Sequence, residues 1–147
     1  MPDTSLSLLL YVSRLAAGVA TSVADQISRE STLNNERDGI TGLLTFDGAN
    51  FAQWLEGPPA ALAALLGRLK ADPRHEDLDV MYWDAVEYRR YPGWKLGFLR
   101  LDLAEFGIAS LRGQRGRAGI EAFAFIVPAL DIEPSGLTPV HAPQARG

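Results

Sequence analysis

Residues 39–58, GITGLLTFDGANFAQWLEGP, constrain this chain more than any other stretch. They fit two strands joined by a tight connection. Ile40 to Phe46 is apolar and β-prone. Asp47-Gly48 is a hairpin turn signal, because glycine takes φ > 0 without steric cost. Phe51 to Glu56 then alternates, with Phe51, Gln53 and Leu55 on one face and Ala52, Trp54 and Glu56 on the other. Gln53 therefore stands between two large apolar residues, on the side that should meet a core. A buried primary amide has two donor hydrogens and an acceptor to satisfy, so packing alone does not account for it.

The flanking sequence supplies the rest of a sheet. Residues 6–13 are almost all apolar and predict a central strand. Residues 22–33 predict a helix, with Val19, Val23 and Ile27 four apart on one face, Thr21 or Ser22 as its cap, and Asn34-Asn35 as its end. Pro58-Pro59 opens a second helix, in the first turn where a missing N–H does no harm. Its apolar stripe is Leu62, Leu65, Leu66 and Leu69, and Asp72-Pro73 ends it. Strands follow over residues 78–87 and 94–100, separated by Tyr91-Pro92-Gly93. The order βαββαββ, with both helices on one face of a mixed or antiparallel sheet, predicts an α+β, ferredoxin-like sandwich.

Residues 1–100 form this unit, and residues 101–147 are expected to be a helical extension and flexible tail. Residues 113–117, GQRGR, are basic and flexible in character, and residues 118–127 predict an apolar helix. Such a segment must pack on the free face of the sheet or on another copy of the chain. The Pro-, Gly- and Ala-rich residues after Glu133 are expected to be poorly ordered.

Composition removes several functions. A net charge of −4 argues against a surface that tracks nucleic-acid phosphates. No cysteine is present, which excludes disulfides, cysteine-zinc sites and thiol nucleophiles and fits a cytoplasmic protein. The N-terminal apolar run is too short for a membrane span and lacks the basic start of a signal peptide. His75 and His141 do not lie in a metal-ligand spacing. No nucleophile elbow or phosphate loop is present.

What remains is a constellation of polar groups. Tyr11 lies on the first strand and Gln53 on the third, which are commonly neighbours in a βαββαββ sheet. Asn35 leaves the first helix at the sheet edge, and Arg68 and Asp72 share one side of the second. A slot between the helices would be lined by a phenol, amides and a guanidinium, with Ile27 and Leu69 as apolar walls. It suits a flat heteroaromatic ring with a polar edge. Each residue also has a plainer reading: Tyr11 as core, Asn35 as a helix C-cap, and Arg68 with Asp72 as a surface pair worth about 0.2–0.5 kcal/mol.

The chain resembles the BLUF domain, a flavin-binding blue-light sensor. Tyr11-Val12-Ser13 resembles the family's first strand, and Asn34-Asn35-Glu36-Arg37-Asp38-Gly39-Ile40-Thr41-Gly42 its Asn-Asn-x-x-x-Gly-Ile-Thr-Gly segment. Phe51 through Gly57 resembles its Phe-x-Gln-x-Leu-Glu-Gly strand, and Arg68 through Asp72-Pro73-Arg74-His75 its Arg-x-x-x-Asp-x-Arg-His helix end. The match covers roughly the first hundred residues, and its specificity lies in the order and spacing of the four pieces together.

The resemblance implies a stand-alone blue-light receptor that binds FAD, with FMN as the alternative flavin. It implies that Tyr11 donates an electron and proton and that Gln53 stands between Tyr11 and the ring edge. Asn35 with Asn34, and Arg68 with Asp72, would hold the rim. Ile27 and Leu69 would sandwich the ring, and His75 is a motif member counted with the cofactor site. Trp94 matches the fifth-strand aromatic. Leu96 departs from the family's usual Met in Trp-x-Met, keeping volume but losing sulfur, which puts relay to the fifth strand in doubt. No enzymatic or DNA-binding domain is expected, so output would run through a homo-oligomer (a dimer or a larger ring) or a separate protein partner. A flavin-less BLUF-like interaction domain and an acylphosphatase-like hydrolase are the rival expectations.

Overall fold

The computed structural model describes residues 5–93, 95–100, 108–126, 131–132 and 139–140. Strand β1 (Leu6–Leu15) is followed by helix α1 (Val23–Asp38), strands β2 (Thr41–Phe46) and β3 (Asn50–Gly57), helix α2 (Pro59–Ala71), and strands β4 (His75–Val86) and β5 (Gly97–Arg100). A single 3₁₀ turn (Ile108–Leu111) and helix α3 (Gly116–Ile126) complete the layer on the other side. The short strands β6 (Asp131–Ile132) and β7 (Pro139–Val140) pair antiparallel with each other.

The sheet runs β4-β1-β3-β2-β5, antiparallel except for β5, which is parallel to β2. This is the ferredoxin-like α+β order expected from the sequence. Strand β3 is its centre, and every residue from Phe51 to Gly57 is buried. A strand covered on both faces reads as a continuous apolar run, as β1 does over Leu8–Val12, whereas β3 buries Gln53 and Glu56 among its apolar residues. Leu9, Tyr11, Phe51 and Leu55 join α1 and α2 in one cluster. Leu8, Leu10, Val12, Ala52 and Trp54 join the 3₁₀ turn and α3 in the other.

Helix α1 runs through Asn34 and Asn35 rather than ending there. Its stop is Gly39, at φ 73°, whose N–H bonds back to the Asn35 carbonyl. The Ile40 N–H reaches the same oxygen at 3.0 Å. Glycine occupies this left-handed position at little cost, and the modest helix propensity of asparagine gives way to it. Ser22 makes no side-chain cap. Instead the N–H groups of Val23, Ala24 and Asp25 bond to the carbonyls of Ala20, Thr21 and Ser22, a tight entering turn that satisfies the orphan donors.

Gly42 is fixed by contact. A Cβ there would lie 1.8 Å from the Trp54 carbonyl oxygen, so β2 approaches β3 this closely only with glycine at that position. Strand β4 begins at His75, earlier than residue 78, and β5 begins at Gly97, later than residue 94. Trp94 lies outside the described residues.

Helix α3 takes the first of its two expected options and packs on the chain's own sheet. Phe123 is buried, and a Cβ on Gly119 would stand 3.2 Å from the Met81 terminal methyl. Arg115, in the basic stretch before α3, pairs with Asp79 at 2.7 Å. Val127, His141 and most of the tail lie outside the described residues.

Candidate functional site

The site is built on the helix-covered face. Strands β1 and β3 pair in a register that sets Tyr11 directly opposite Gln53, and cross-strand partners share a face. The Tyr11 hydroxyl donates to Gln53 Oε1 in a short hydrogen bond. Both residues are buried. Burial, reinforced by the Asp72 carboxylate, pushes the Tyr11 phenol well above its ordinary pKa, so it is held as a neutral donor. The amide's Oε1 is thus engaged by the phenol.

That cleft is lined by Tyr11, Ile27, Leu44, Phe51, Leu69, Asp72 and His75. Its volume is ≈ 10 Å³, about the space of one water. His75, the first residue of β4, closes one end. Its Nε2 is 2.6 Å from the Leu69 carbonyl, which only accepts, so Nε2 carries the proton. Its Nδ1 lies 2.7 Å from Ser13 Oγ and accepts from that hydroxyl in the neutral ring. The imidazole thus ties the end of α2 to β1, edge-on to both Tyr11 and Phe51.

Asp72 caps α2 and is held by Arg74, through its backbone N–H at 3.0 Å and its guanidinium at 2.8 Å. Burial opposes the charge on Asp72, but these bonds outweigh it and keep the carboxyl below its ordinary range. Arg74 is pushed above its usual value, chiefly by its bond to Asp72. It also pairs with Glu30 at 3.0 Å, joining the end of α2 to α1.

Of the residues singled out from the sequence, Tyr11, Ile27, Leu69, Asp72 and His75 share this cleft, and Gln53 is bonded to Tyr11 without lining the cleft. Asn35 is buried on α1, but its Nδ2 donates to the Lys95 carbonyl at 2.7 Å. Asn34, one residue earlier, is half-buried. Arg68 is half-exposed, 3.5 Å from Asp38, and does not line the cleft. Leu96 is fully buried in the helix-face cluster, just ahead of β5.

The groups present fit a flat ring with a polar edge. Aliphatic side chains from two helices supply its faces, and a phenol hydrogen-bonded to an amide supplies a polar edge. A tricyclic ring exceeds the present volume, so holding one requires Ile27 and Leu69 to move apart. Among the described residues no group of three His, Asp or Glu is placed to hold a metal ion, and no helix is long and apolar enough to cross a membrane.

Sequence reasoning passed over Glu56. It is 1 % exposed, and it accepts from the Trp54 indole at 3.0 Å and from the N–H groups of Arg90 and Tyr91 at 2.8 and 2.6 Å. The available signal was a carboxylate inside a strand whose neighbours Trp54 and Leu55 are apolar. Its two backbone partners lie 34 and 35 positions away. Leu44, Phe51 and Ser13 were likewise absent from the expected site.

Comparison with known proteins decides the family. Residues 6–97 match the model described as "BLUF: Sensors of blue-light using FAD". The chain belongs to the BLUF family. This BLUF chain is 35% identical over 95 residues to the photoactivated adenylate cyclase subunit beta of Euglena gracilis, covering 64% of this chain and 11% of that protein. It is 29% identical over 98 residues to the blue light- and temperature-regulated antirepressor BluF of Escherichia coli, covering 65% and 24%. The chain thus spans about a tenth of the length of the cyclase relatives. Among solved structures, the dark state of the BLUF protein BlrB superposes with a TM-score of 0.70 at 28% identity, covering 84% of this chain and 95% of that one. BlrP1 of Klebsiella pneumoniae, solved with FMN and cyclic diGMP, superposes at 0.65 and 31% identity, covering 83% and 34%. The chain is therefore a blue-light sensor of the type that uses FAD.

Proposed function

We propose that this BLUF chain binds FAD, or FMN in its place, between α1 and α2 and signals through the Tyr11–Gln53 pair. The observation that carries the reading is the buried hydrogen bond from the Tyr11 hydroxyl, at the cleft, to Gln53 Oε1. A bound flavin supplies a blue-absorbing, strongly oxidising excited state. Tyr11 is a side chain able to give up an electron, and its proton then lies on the bond to Gln53 Oε1. Gln53 has a donor end and an acceptor end, so turning the amide or shifting its tautomer reverses what it offers its partners. Light biases a two-state hydrogen-bond network in this way.

In this reading Ile27 and Leu69 hold the faces of the ring, and Asn35 with Asn34, Arg68 and Asp72 hold its rim. His75 sets the end of α2 against β1. Arg68 and the Asn35 amide must leave their contacts with Asp38 and the Lys95 carbonyl to take those roles. Trp94 and Leu96 complete the photoactive set on the fifth-strand segment, and Leu96 transmits without the thioether sulfur. Residues 1–100 are the sensor, and residues 101–147 its helical extension and tail. The protein works in the cytoplasm as a sensor rather than as a catalyst, and passes its signal to its own oligomer or to a separate protein. The antirepressor relative supports the second route, since its name describes action on a repressor.

The test is the absorption spectrum of the flavin-loaded protein before and after blue light. A small red shift that reverts in the dark is expected. A protein that refuses flavin, or whose bound flavin shows no shift, removes the reading.

A further inference from the structure

The β4–β5 connection begins on one face of the sheet and ends on the other. Tyr91 packs with the cluster on the α3 side, whereas Leu96 is buried in the cluster on the helix side with Tyr11. Both ends of this connection are held by buried polar side chains. At the far end Asn35 Nδ2 bonds the Lys95 carbonyl at 2.7 Å. At the near end Glu56 takes the N–H groups of Arg90 and Tyr91 on its two carboxylate oxygens. Arg89 adds bonds to the carbonyls of Glu56 and Gly39 at 3.0 and 2.8 Å.

Trp54 connects this clasp to α3. It follows Gln53 in β3 and therefore projects from the opposite face. Its indole N–H donates to Glu56 Oε2 at 3.0 Å. Its ring lies 5.5 Å from Phe123 of α3 and 5.9 Å, edge-on, from Tyr91, and the Arg90 guanidinium stands 5.7 Å from its centroid. A buried carboxyl group bonded to two backbone N–H groups has little freedom to slip, because any displacement leaves buried donors and acceptors unpaired. A shift of β3 at Gln53 must carry Trp54 and the connection with it or break those bonds.

We propose that Trp54 and Glu56 are the positioning pair that couples the Gln53 side of β3 to α3. This rests on the photosensor reading above. The coupling acts through the two-sidedness of one strand: Gln53 reports to the cleft, and the next residue reports to the helix behind the sheet. A state change at Gln53 reaches α3 only if contacts of Trp54 and Glu56 differ between the two states.

The experiment uses the full flavin-loaded chain and measures amide hydrogen exchange of residues 89–96 and 116–126 in darkness and under blue light. The unsubstituted chain is expected to show a light-minus-dark difference in both segments. Trp54→Phe removes the indole donor and keeps a ring against Phe123. It is expected to retain the flavin shift while the light-minus-dark difference in residues 116–126 falls at least threefold. Glu56→Gln is expected to do the same, and Trp54→Phe carries the test alone if that variant does not fold. A merely structural role would raise exchange equally in light and dark. A full light-minus-dark difference in Trp54→Phe, or none in the unsubstituted chain despite a normal shift, overturns the proposal while leaving the sensor intact. Absence of any flavin shift overturns the sensor reading and this inference with it.

Discussion

The two faces of β3 are closed by different means. On the helix side the strand presents Phe51, Gln53 and Leu55, and the layer above them leaves a cleft bounded by Ile27, Leu69 and Asp72. On the other side it presents Ala52, Trp54 and Glu56, with Trp54 and Phe123 in ring contact and the Glu56 carboxylate fully engaged. One face keeps a cleft beside its buried Tyr11–Gln53 bond, and the other uses its polar atoms to pin a loop. A single strand can therefore sense on one side and be anchored on the other, because alternate residues meet independent layers.

The sharpest test of this division is Gln53→Leu. It should keep bound flavin and abolish the light-induced shift, and a surviving shift would erase the distinction between the faces. It should also cost about 1–3 kcal/mol in denaturant unfolding, since the Tyr11 hydroxyl loses its buried acceptor. Phe123→Ala addresses the other face. Phe123 is 1 % exposed, so truncation should destabilise the chain by about 3–5 kcal/mol while leaving the size of the shift unchanged. A normal unfolding midpoint would mean that α3 does not close the second face.

Two smaller effects, both on the cleft face, depend on pH. The raised folded pKa of Tyr11 keeps its contribution complete below the unfolded value of about 10. That contribution is lost as pH rises beyond it, because the unfolded chain releases the proton first. Tyr11→Phe should flatten this alkaline limb in a thermal-denaturation series. Asp72 has a lowered folded pKa, so its contribution is complete above about pH 3.9 and lost as pH falls through the folded value. Asp72→Asn should flatten the acid limb by less than about 1 kcal/mol, the scale of a partly exposed ion pair. An unchanged acid limb would mean that the Asp72–Arg74 pair contributes nothing to closing the cleft.

Much of this was legible in the residues. The period-2 pattern of β3 put Gln53 against a core, and the turn at Asp47-Gly48 fixed its hairpin partner. Local signals sufficed because strand alternation and turn chemistry are properties of neighbouring residues. The end of α1 was misplaced at Asn34-Asn35 because asparagine is a common stop, whereas the left-handed Gly39 four positions beyond Asn35 set the boundary. Arg68 and Asp72 do lie four apart on one helix, yet Asp38 and Arg74 draw them to different partners.

By itself the sequence determined the element order, the apolar faces and the presence of a costly amide in the middle strand, since these follow from periodicity and the price of burial. Only the tertiary structure decided that Tyr11 is the group opposite Gln53 and that Glu56 holds a loop from beyond β4. It also decided that α3 covers the chain's own sheet. Each of those outcomes is a contact between residues far apart in the chain, where strand register and the competition for a buried partner, not local propensity, fix which groups meet.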